Sequence, residues 1–375
     1  MLISLYIHIP FCRSKCSYCD FYSIVGKKEL IKAYLKGLEK ELKNYYGRYK
    51  LKTVYIGGGT PSILEIEDLK FLFKAIRENF EIEKNYEVEI TIEANPESLR
   101  EDFIIELKNL GVNRLSLGVQ TFNDRALKLA GRIADAKIIE DKIRLIKKLN
   151  FENWSADLIY GLPFQNLKVF ENDLERIIDY GPKHISVYNL TIEKGTPFYK
   201  IYVKESSIFP SEEECVEMYK LANYKLEKAG FIRYEISNFS KEGYECRHNL
   251  TYWNYEDYIG AGASAVSSIK NKRYKNFADV EKYIKFINKN KLPISYIEKL
   301  SPKKRIKEFI MLKLRLSKGL NLLELKEKFN FDLLKERKDI IEKFIKLKYL
   351  NFEKNYLSLT LDGILISNSI ISEIM

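Results

Sequence analysis

Apolar positions in the first two thirds of the chain alternate between two periods. Short runs rich in Ile, Val, Leu and Tyr have the length and composition of strands: the opening LISLYIHIP, then LKTVYI, VEITIEA, RLSLGVQ, SADLIYG and HISVYNL. Between them apolar residues recur at helical spacing. Residues 27–46 carry Leu30, Ile31, Tyr34, Leu35, Leu38, Leu42 and Tyr45 in that pattern, and further helices are predicted near 66–79, 99–110, 135–149 and 166–180. Six strands alternating with helices predict parallel βα units, an α/β fold closing into a partial (β/α)6 barrel. In such barrels the chemistry gathers at the C-terminal strand ends. The unusual polar residues and glycines fall there: Cys12 after the first strand, Gly57–Gly59 after the second, Glu93 at the third and Gln120 at the fourth. Asp157 lies in the fifth strand, and Tyr188 and Asn189 near the end of the sixth.

Beyond residue 205 the pattern changes. A helix is predicted at about 211–229, followed by FIRYEIS as an edge strand and an aromatic, glycine-containing stretch from Tyr244 to Ser268. From about residue 300 the order is helix, short helix, helix, two short strands (KYLNFE and NYLSLTL) and a last helix, which predicts a winged-helix-like α+β module. The expected division is a barrel over 1–205, a barrel extension over 206–298 and a C-terminal domain over 299–375. The apolar opening lacks a basic leader and a small-residue cleavage site, so it reads as a first strand and not a signal peptide. No apolar run approaches the roughly 18 residues of a membrane helix.

Cysteine usage narrows the setting. Three of the 5 cysteines cluster and the number is odd, which fits a reducing, cytoplasmic compartment better than a disulfide framework. The net charge of +11, from 63 Lys and Arg against 52 Asp and Glu, could attract nucleic acid, anionic lipid or an acidic small molecule. Lysines alternate with glutamates along the predicted helices, however, so most of this charge reads as a solvated face.

Cys12, Cys16 and Cys19 offer three thiolates from one loop, HIPFCRSKCSYCDF. Four-iron clusters normally take four thiolates, so three leave one iron open to a further ligand. Zinc is the alternative, but its sites usually join two separated ligand pairs, and Cys215 and Cys246 are remote from the loop and from each other. GGGTPS (Gly57–Ser62) is a glycine turn leaving a strand, where free backbone donors could hold a carboxylate or an amine-bearing group. It lacks the Lys-Ser/Thr of a phosphate loop and the spacing of a dinucleotide site.

Together, YIHIPFCRSKCSYCDF, GGGTPS, IEANPES, LSLGVQTFND, DLIYGLP and RHNLTYWNYEDYIGAGAS resemble the radical S-adenosylmethionine proteins related to oxygen-independent coproporphyrinogen oxidase. Within them, the chain is most similar to the haem-chaperone branch. The resemblance covers nearly the whole chain. It implies that Cys12, Cys16 and Cys19 hold a [4Fe-4S] cluster whose open iron is chelated by S-adenosylmethionine, with one-electron cleavage of the sulfonium to a deoxyadenosyl radical. Tyr6, Gly58, Gly59, Thr60 and Glu93 match positions lining the cofactor site, continued by Gln120, Arg132 and Asp157. Glu93 is expected to neutralise the ligand's amine, and Arg132 to face a carboxylate as a bidentate donor. The bland alternatives are that Glu93 and Asp157 satisfy barrel-end backbone groups and that Arg132 is a surface residue.

Phe21 separates the branches. The oxidases resemble CxxxCxxCxC, and Phe21 stands where they carry the fourth cysteine; the chain also begins five residues before Tyr6, without their N-terminal extension. Both departures favour haem carriage over porphyrinogen oxidation. The branch carries an HNxxYW motif associated with haem, here His248, Asn249, Tyr252 and Trp253. His248 is the expected haem ligand; the alternative is a hydrogen-bonded packing histidine. Cys246 is a competing ligand, and Cys215 reads as a helix-core thiol. Ala134 and Val266 stand where the family usually has histidine. The expected partners are haem, haem-requiring apoproteins that include membrane-associated ones, and an electron donor, with peripheral contact at the inner membrane during delivery. A radical enzyme acting on RNA is a third reading, but residues 300–375 show no compact Arg cluster with interleaved aromatics, so no nucleic acid is expected.

Overall fold

The computed structural model describes residues 1–82 and 87–375. Six parallel strands form the frame: β1 (Leu2–Ile9), β2 (Lys50–Gly58), β3 (Glu89–Ala94), β4 (Arg114–Gln120), β5 (Trp154–Tyr160) and β6 (His184–Asn189). Helices separate them at Lys28–Leu42, Ile66–Asn79, Glu101–Asn109, Ala136–Lys148 and Leu167–Tyr180, within a few residues of their predicted places. Local chemistry sets the ends of these helices. Asn166 accepts from the Val169 amide at the start of the last one, and Gly181 at φ +73° ends it in the left-handed region.

A seventh parallel strand, β7 (Tyr258–Ala261), pairs with the outer edge of β1, Ser4 opposite Tyr258. The sequence pattern hid it. It is four residues long, and Gly260 sits so close to the next strand that an added Cβ would lie 2.1 Å from the Val266 carbonyl oxygen. From β7 the sheet continues antiparallel through Val266–Ile269, Lys272–Asn276 and Ile294–Lys299. At the opposite edge, Asn238–Ser240 pairs antiparallel with β6. Of the expected edge strand FIRYEIS, only Ile232–Arg233 is strand. The path therefore ends in free edges on both sides and the barrel is partial.

The strands and their helices share one core, from Ile3, Leu5 and Ile7 out to Leu174 and Leu226. A separate core gathers Phe309, Ile310, Leu320, Leu325, Ile341, Leu357 and Ile370. Around it lie helices Pro302–Lys313, Leu322–Phe329 and Leu333–Lys346 and a three-stranded antiparallel sheet with Tyr356–Leu359 in the middle. No helix among the described residues is long and apolar enough to cross a membrane.

Candidate functional site

Alternate residues of a strand face one side of the sheet, and in this barrel the inward set is polar. Thr91, Glu93 and Asn95 come from β3 and its exit, Arg114, Ser116, Gly118 and Gln120 from β4, Ser155 and Asp157 from β5, and His184, Ser186 and Tyr188 from β6. With the Cys12–Phe21 loop they line one cavity of ≈ 520 Å³. The cavity brings together Cys12, Cys16, Cys19, Gly58, Gly59, Thr60, Glu93, Gln120, Arg132 and Asp157. Period two along the strands is the sequence signal for Ser116, Ser186, Arg114 and His184, which lie deeper than the strand ends.

The cysteine loop is tied down from several sides. Cys12 lies on a two-residue strand paired with Ile24–Val25, the Ser17 amide donates to the Ala130 carbonyl at 2.9 Å, and the Phe198 amide to the Ser17 carbonyl at 3.0 Å. All three cysteines are free thiols. Each sulfur has a donor: the Thr60 hydroxyl to Cys12 Sγ at 3.4 Å, Arg132 Nη1 to Cys16 Sγ at 3.8 Å, and the Phe21 amide to the Cys19 thiol. Among the described residues no three His, Cys, Asp or Glu side chains converge as a single ion requires. A tetrahedral zinc site needs that convergence, whereas a cluster takes one thiolate per iron.

Gly58 and Gly59 leave no room for a side chain, and at Gly57 one would displace the Glu93 carboxylate. A Cβ at Gly57 would lie 2.7 Å from the Glu93 carboxyl carbon, at Gly58 (φ +113°) 2.4 Å from His8 Nδ1, and at Gly59 2.7 Å from the Phe11 carbonyl oxygen. The expectation of free backbone donors does not hold. The Gly58 amide donates to Glu93 Oε2 at 3.0 Å, and the Gly59 and Thr60 amides donate to the carbonyls of Ile9 and Phe11. What the turn offers a ligand is the acceptor it braces, Glu93, which also takes the Tyr55 hydroxyl at 2.8 Å. Burial pushes the Glu93 carboxyl up to about 7, against the pull of those two donors and with help from the Asp157 charge. Such a carboxyl is stabilised as the anion by an incoming cation.

Arg132 is not a surface residue: its side chain is 3% exposed. Its fork is also not open to a ligand carboxylate as expected. Nη1 and Nη2 both donate to Asn95 Oδ1 at 3.2 Å, Nη2 donates to the Gly118 carbonyl at 2.8 Å, and Glu97 lies 3.9 Å away. Gln120 leaves β4 at φ 69°, after a bulge that shifts the register against β5, the kind of irregularity that re-aims a side chain. Asp157 accepts from Ser116 Oγ at 3.0 Å and from Ser186, yet burial raises its pKa. Tyr6 stands apart from the other matched residues. It does not line the cavity but packs behind it, with its hydroxyl 2.9 Å from His8 Nδ1 and its ring stacked on Tyr55.

The HNxxYW motif lies on the helix Arg247–Trp253, and Cys246 and Asn249 beside and within it line the cavity. His248 is fully enclosed, with Nδ1 at 2.7 Å from Thr53 Oγ1 and Nε2 at 2.8 Å from the Tyr252 hydroxyl. Burial lowers its pKa to about 3. In this packing His248 has no nitrogen left for a haem iron. The chain's other histidines are engaged in the same way, His8 by Tyr6 and the Tyr22 carbonyl, His184 by Ser155 and Tyr234. Cys246 lines the cavity floor, but burial pushes its thiol up to about 12 and Sγ lies 3.7 Å from Glu89. Cys215 sits half-buried in helix Glu212–Lys228 against the barrel core.

Comparison with known proteins agrees with this geometry. The Radical SAM superfamily model matches residues 6–206 and the HemN C-terminal domain model matches residues 300–366. The heme chaperone HemW of Lactococcus lactis subsp. lactis (strain IL1403) is 36% identical over 99% of this chain and 97% of its own. The chain belongs to the HemW family of radical SAM proteins. The HemW of Bacillus subtilis (strain 168) is 38% identical over 88% of both chains, and that of Escherichia coli (strain K12) is 37% identical over 70% of this chain and 69% of its own. Coproporphyrinogen III oxidase (HemN) from Escherichia coli, described as a radical SAM enzyme, superposes with a TM-score of 0.85 at 24% identity. It covers 99% of this chain and 89% of the oxidase, which shows that the fold is shared. The C-terminal core is thus the HemN-type domain.

Proposed function

We propose that this HemW-family protein is a haem carrier. It holds a [4Fe-4S] cluster on Cys12, Cys16 and Cys19, S-adenosylmethionine at the open iron, and haem, which it passes to haem-requiring apoproteins. The reading rests above all on one observation: three free thiols share a cavity with Glu93, Gln120 and Asp157. Bound there, the cluster and S-adenosylmethionine supply one-electron chemistry at a sulfonium. Glu93 holds the ligand's ammonium, while Gln120 and Asp157 meet its remaining polar groups. Thr60 and Arg132 serve the thiolates, Gly58 and Gly59 let the turn close, and Tyr6 braces the wall from behind. The haem role is that of the heme chaperones the chain resembles, and Phe21 in place of a fourth cysteine sets the chain apart from the oxidase pattern.

Since every histidine has both ring nitrogens engaged, haem is held without His248 unless Tyr252 or Thr53 moves. The protein works in the cytoplasm, takes its electron from a separate donor, and meets the membrane peripherally where recipients are membrane-bound. Nucleic acid is not among the proposed partners: binding that falls steeply with salt would mark phosphate contacts and speak for it, and flat binding across salt would remove it.

Anaerobic reconstitution with iron and sulfide, followed by parallel titration with haem and with coproporphyrinogen, tests the reading. The expected result is a cluster, a saturable haem spectrum and unchanged coproporphyrinogen. Formation of protoporphyrinogen would return the protein to the oxidases, and absence of a haem spectrum would remove the carrier role.

A further inference from the structure

Asn95 links both sides of the cysteine loop, through Thr60 and Arg132. It follows β3, and its amide N–H donates to Ser62 Oγ at 3.1 Å, which fixes its position. Arg132 carries only donors, so the Asn95 atom facing it must be the carbonyl oxygen, and the amide nitrogen then faces Thr60. Nδ2 donates to Thr60 Oγ1 at 3.0 Å. With its oxygen accepting from Asn95, the Thr60 hydroxyl is left to point its own hydrogen at Cys12 Sγ, 3.4 Å away. On the other side, Oδ1 fixes the guanidinium whose Nη1 reaches Cys16 Sγ at 3.8 Å. Aspartate would lack the donor for Thr60, and leucine would lack both functions.

We propose that Asn95 is a positioning residue for the iron-sulfur cluster, aiming Thr60 at the Cys12 sulfur and Arg132 at the Cys16 sulfur and thereby raising the cluster's reduction potential. The inference rests on the cluster reading above. A donor on a thiolate withdraws electron density from the sulfur and stabilises the reduced, more negative cluster, and such outer groups also orient the ligands. Asn95 touches no sulfur itself, so its effect must pass through Thr60 and Arg132.

The test is a potentiometric titration of the reconstituted protein, followed by the reduced cluster's electron paramagnetic resonance signal without S-adenosylmethionine. Thr60→Val should lower the midpoint potential, and Thr60→Ser, which keeps the hydroxyl, should restore it. Asn95→Leu should lower it further, and Thr60→Val added to Asn95→Leu should change nothing more, because the hydroxyl is already misdirected. If Asn95→Leu does not fold, Asn95→Asp, of nearly equal volume, should also lower the potential and make it insensitive to Thr60→Val. Unchanged potentials in the Asn95 variants, or shifts that add, overturn the inference. Failure of the wild-type chain to take up a cluster with its three cysteines intact would instead sink the underlying reading.

Discussion

Glu93 carries the clearest pH signature in the cavity. Its folded pKa of about 7 lies above the ordinary value of 4.5, so the buried group is neutral below about 7 and anionic above it. The anion binds an ammonium, so affinity for S-adenosylmethionine should rise with pH through that point. In the limit it falls about tenfold per pH unit below it. Equilibrium dialysis across about pH 6 to 8 should show this slope in the wild type and a flat, weaker affinity in Glu93→Gln; an equal slope in both would exclude Glu93. The same shift opposes folding as pH rises from 4.5 through about 7, because the unfolded chain gives up the proton first. His248 works in the opposite sense. Its pKa falls from 6.5 to about 3, so the stability present above pH 6.5 is lost progressively as pH falls toward 3. His248→Ala removes a buried ring and leaves the Thr53 and Tyr252 hydroxyls without that partner, at a cost of about 2–4 kcal/mol in urea unfolding. If haem binds, its axial-ligand spectrum should not change in this variant; a changed spectrum would show that His248 reaches the iron.

At the scale of elements, the β2 exit and the helix Arg247–Trp253 hold the site together. Gly58→Ala puts a side chain at φ +113° and into His8, so it should destabilise by about 2 kcal/mol or more. Wild-type stability in urea would refute this account of the turn. The helix hangs from Glu89 at the start of β3, whose carboxylate accepts the amides of Arg247 and His248 at 3.0 and 2.9 Å. Glu89→Ala should speed amide hydrogen exchange over residues 247–253, and unchanged protection there would mean that side-chain packing alone holds the helix. The sequence made much of this legible and hid the rest for identifiable reasons. Long runs such as RLSLGVQ declare their strand, and the CxxxCxxC spacing is legible without help from the fold. YIGA was invisible because a four-residue strand with a glycine shows no period. The misjudged roles of Arg132 and His248 have a common cause: residue type reveals hydrogen-bonding capacity, but only the fold reveals which partners already occupy it. Asn95 was hidden likewise, since nothing in IEANPES marks the residue that joins Thr60 to Arg132.

At the scale of the whole molecule, two hydrophobic cores meet along a seam where Ile364 packs against both. Arg273, on the strand Lys272–Asn276, makes two parallel hydrogen bonds of 2.9 and 3.0 Å to Glu308 on the first helix of the HemN-type domain. Tyr255, just past the helix Arg247–Trp253, sets its ring edge-on to Phe309, and the Ser317 amide donates to the Tyr234 carbonyl. Lys313 also donates to Asn254, and Leu361, Ile364 and Leu365 pack against the barrel core. Each side nevertheless keeps its own hydrophobic core, which allows the two to unfold in sequence and not as one unit. Both tryptophans, Trp154 and Trp253, lie on the barrel side. Tryptophan fluorescence therefore follows the barrel, while far-ultraviolet circular dichroism follows both parts. In urea the dichroism should show an early transition that fluorescence misses. Glu308→Ala leaves Arg273, 29% exposed, without its fork partner; allowing for that exposure, the cost is about 1–2 kcal/mol. The early transition should move to lower urea while the fluorescence midpoint stays. Coincident midpoints from both probes, in wild type and variant alike, would show that the seam couples the cores into one cooperative unit.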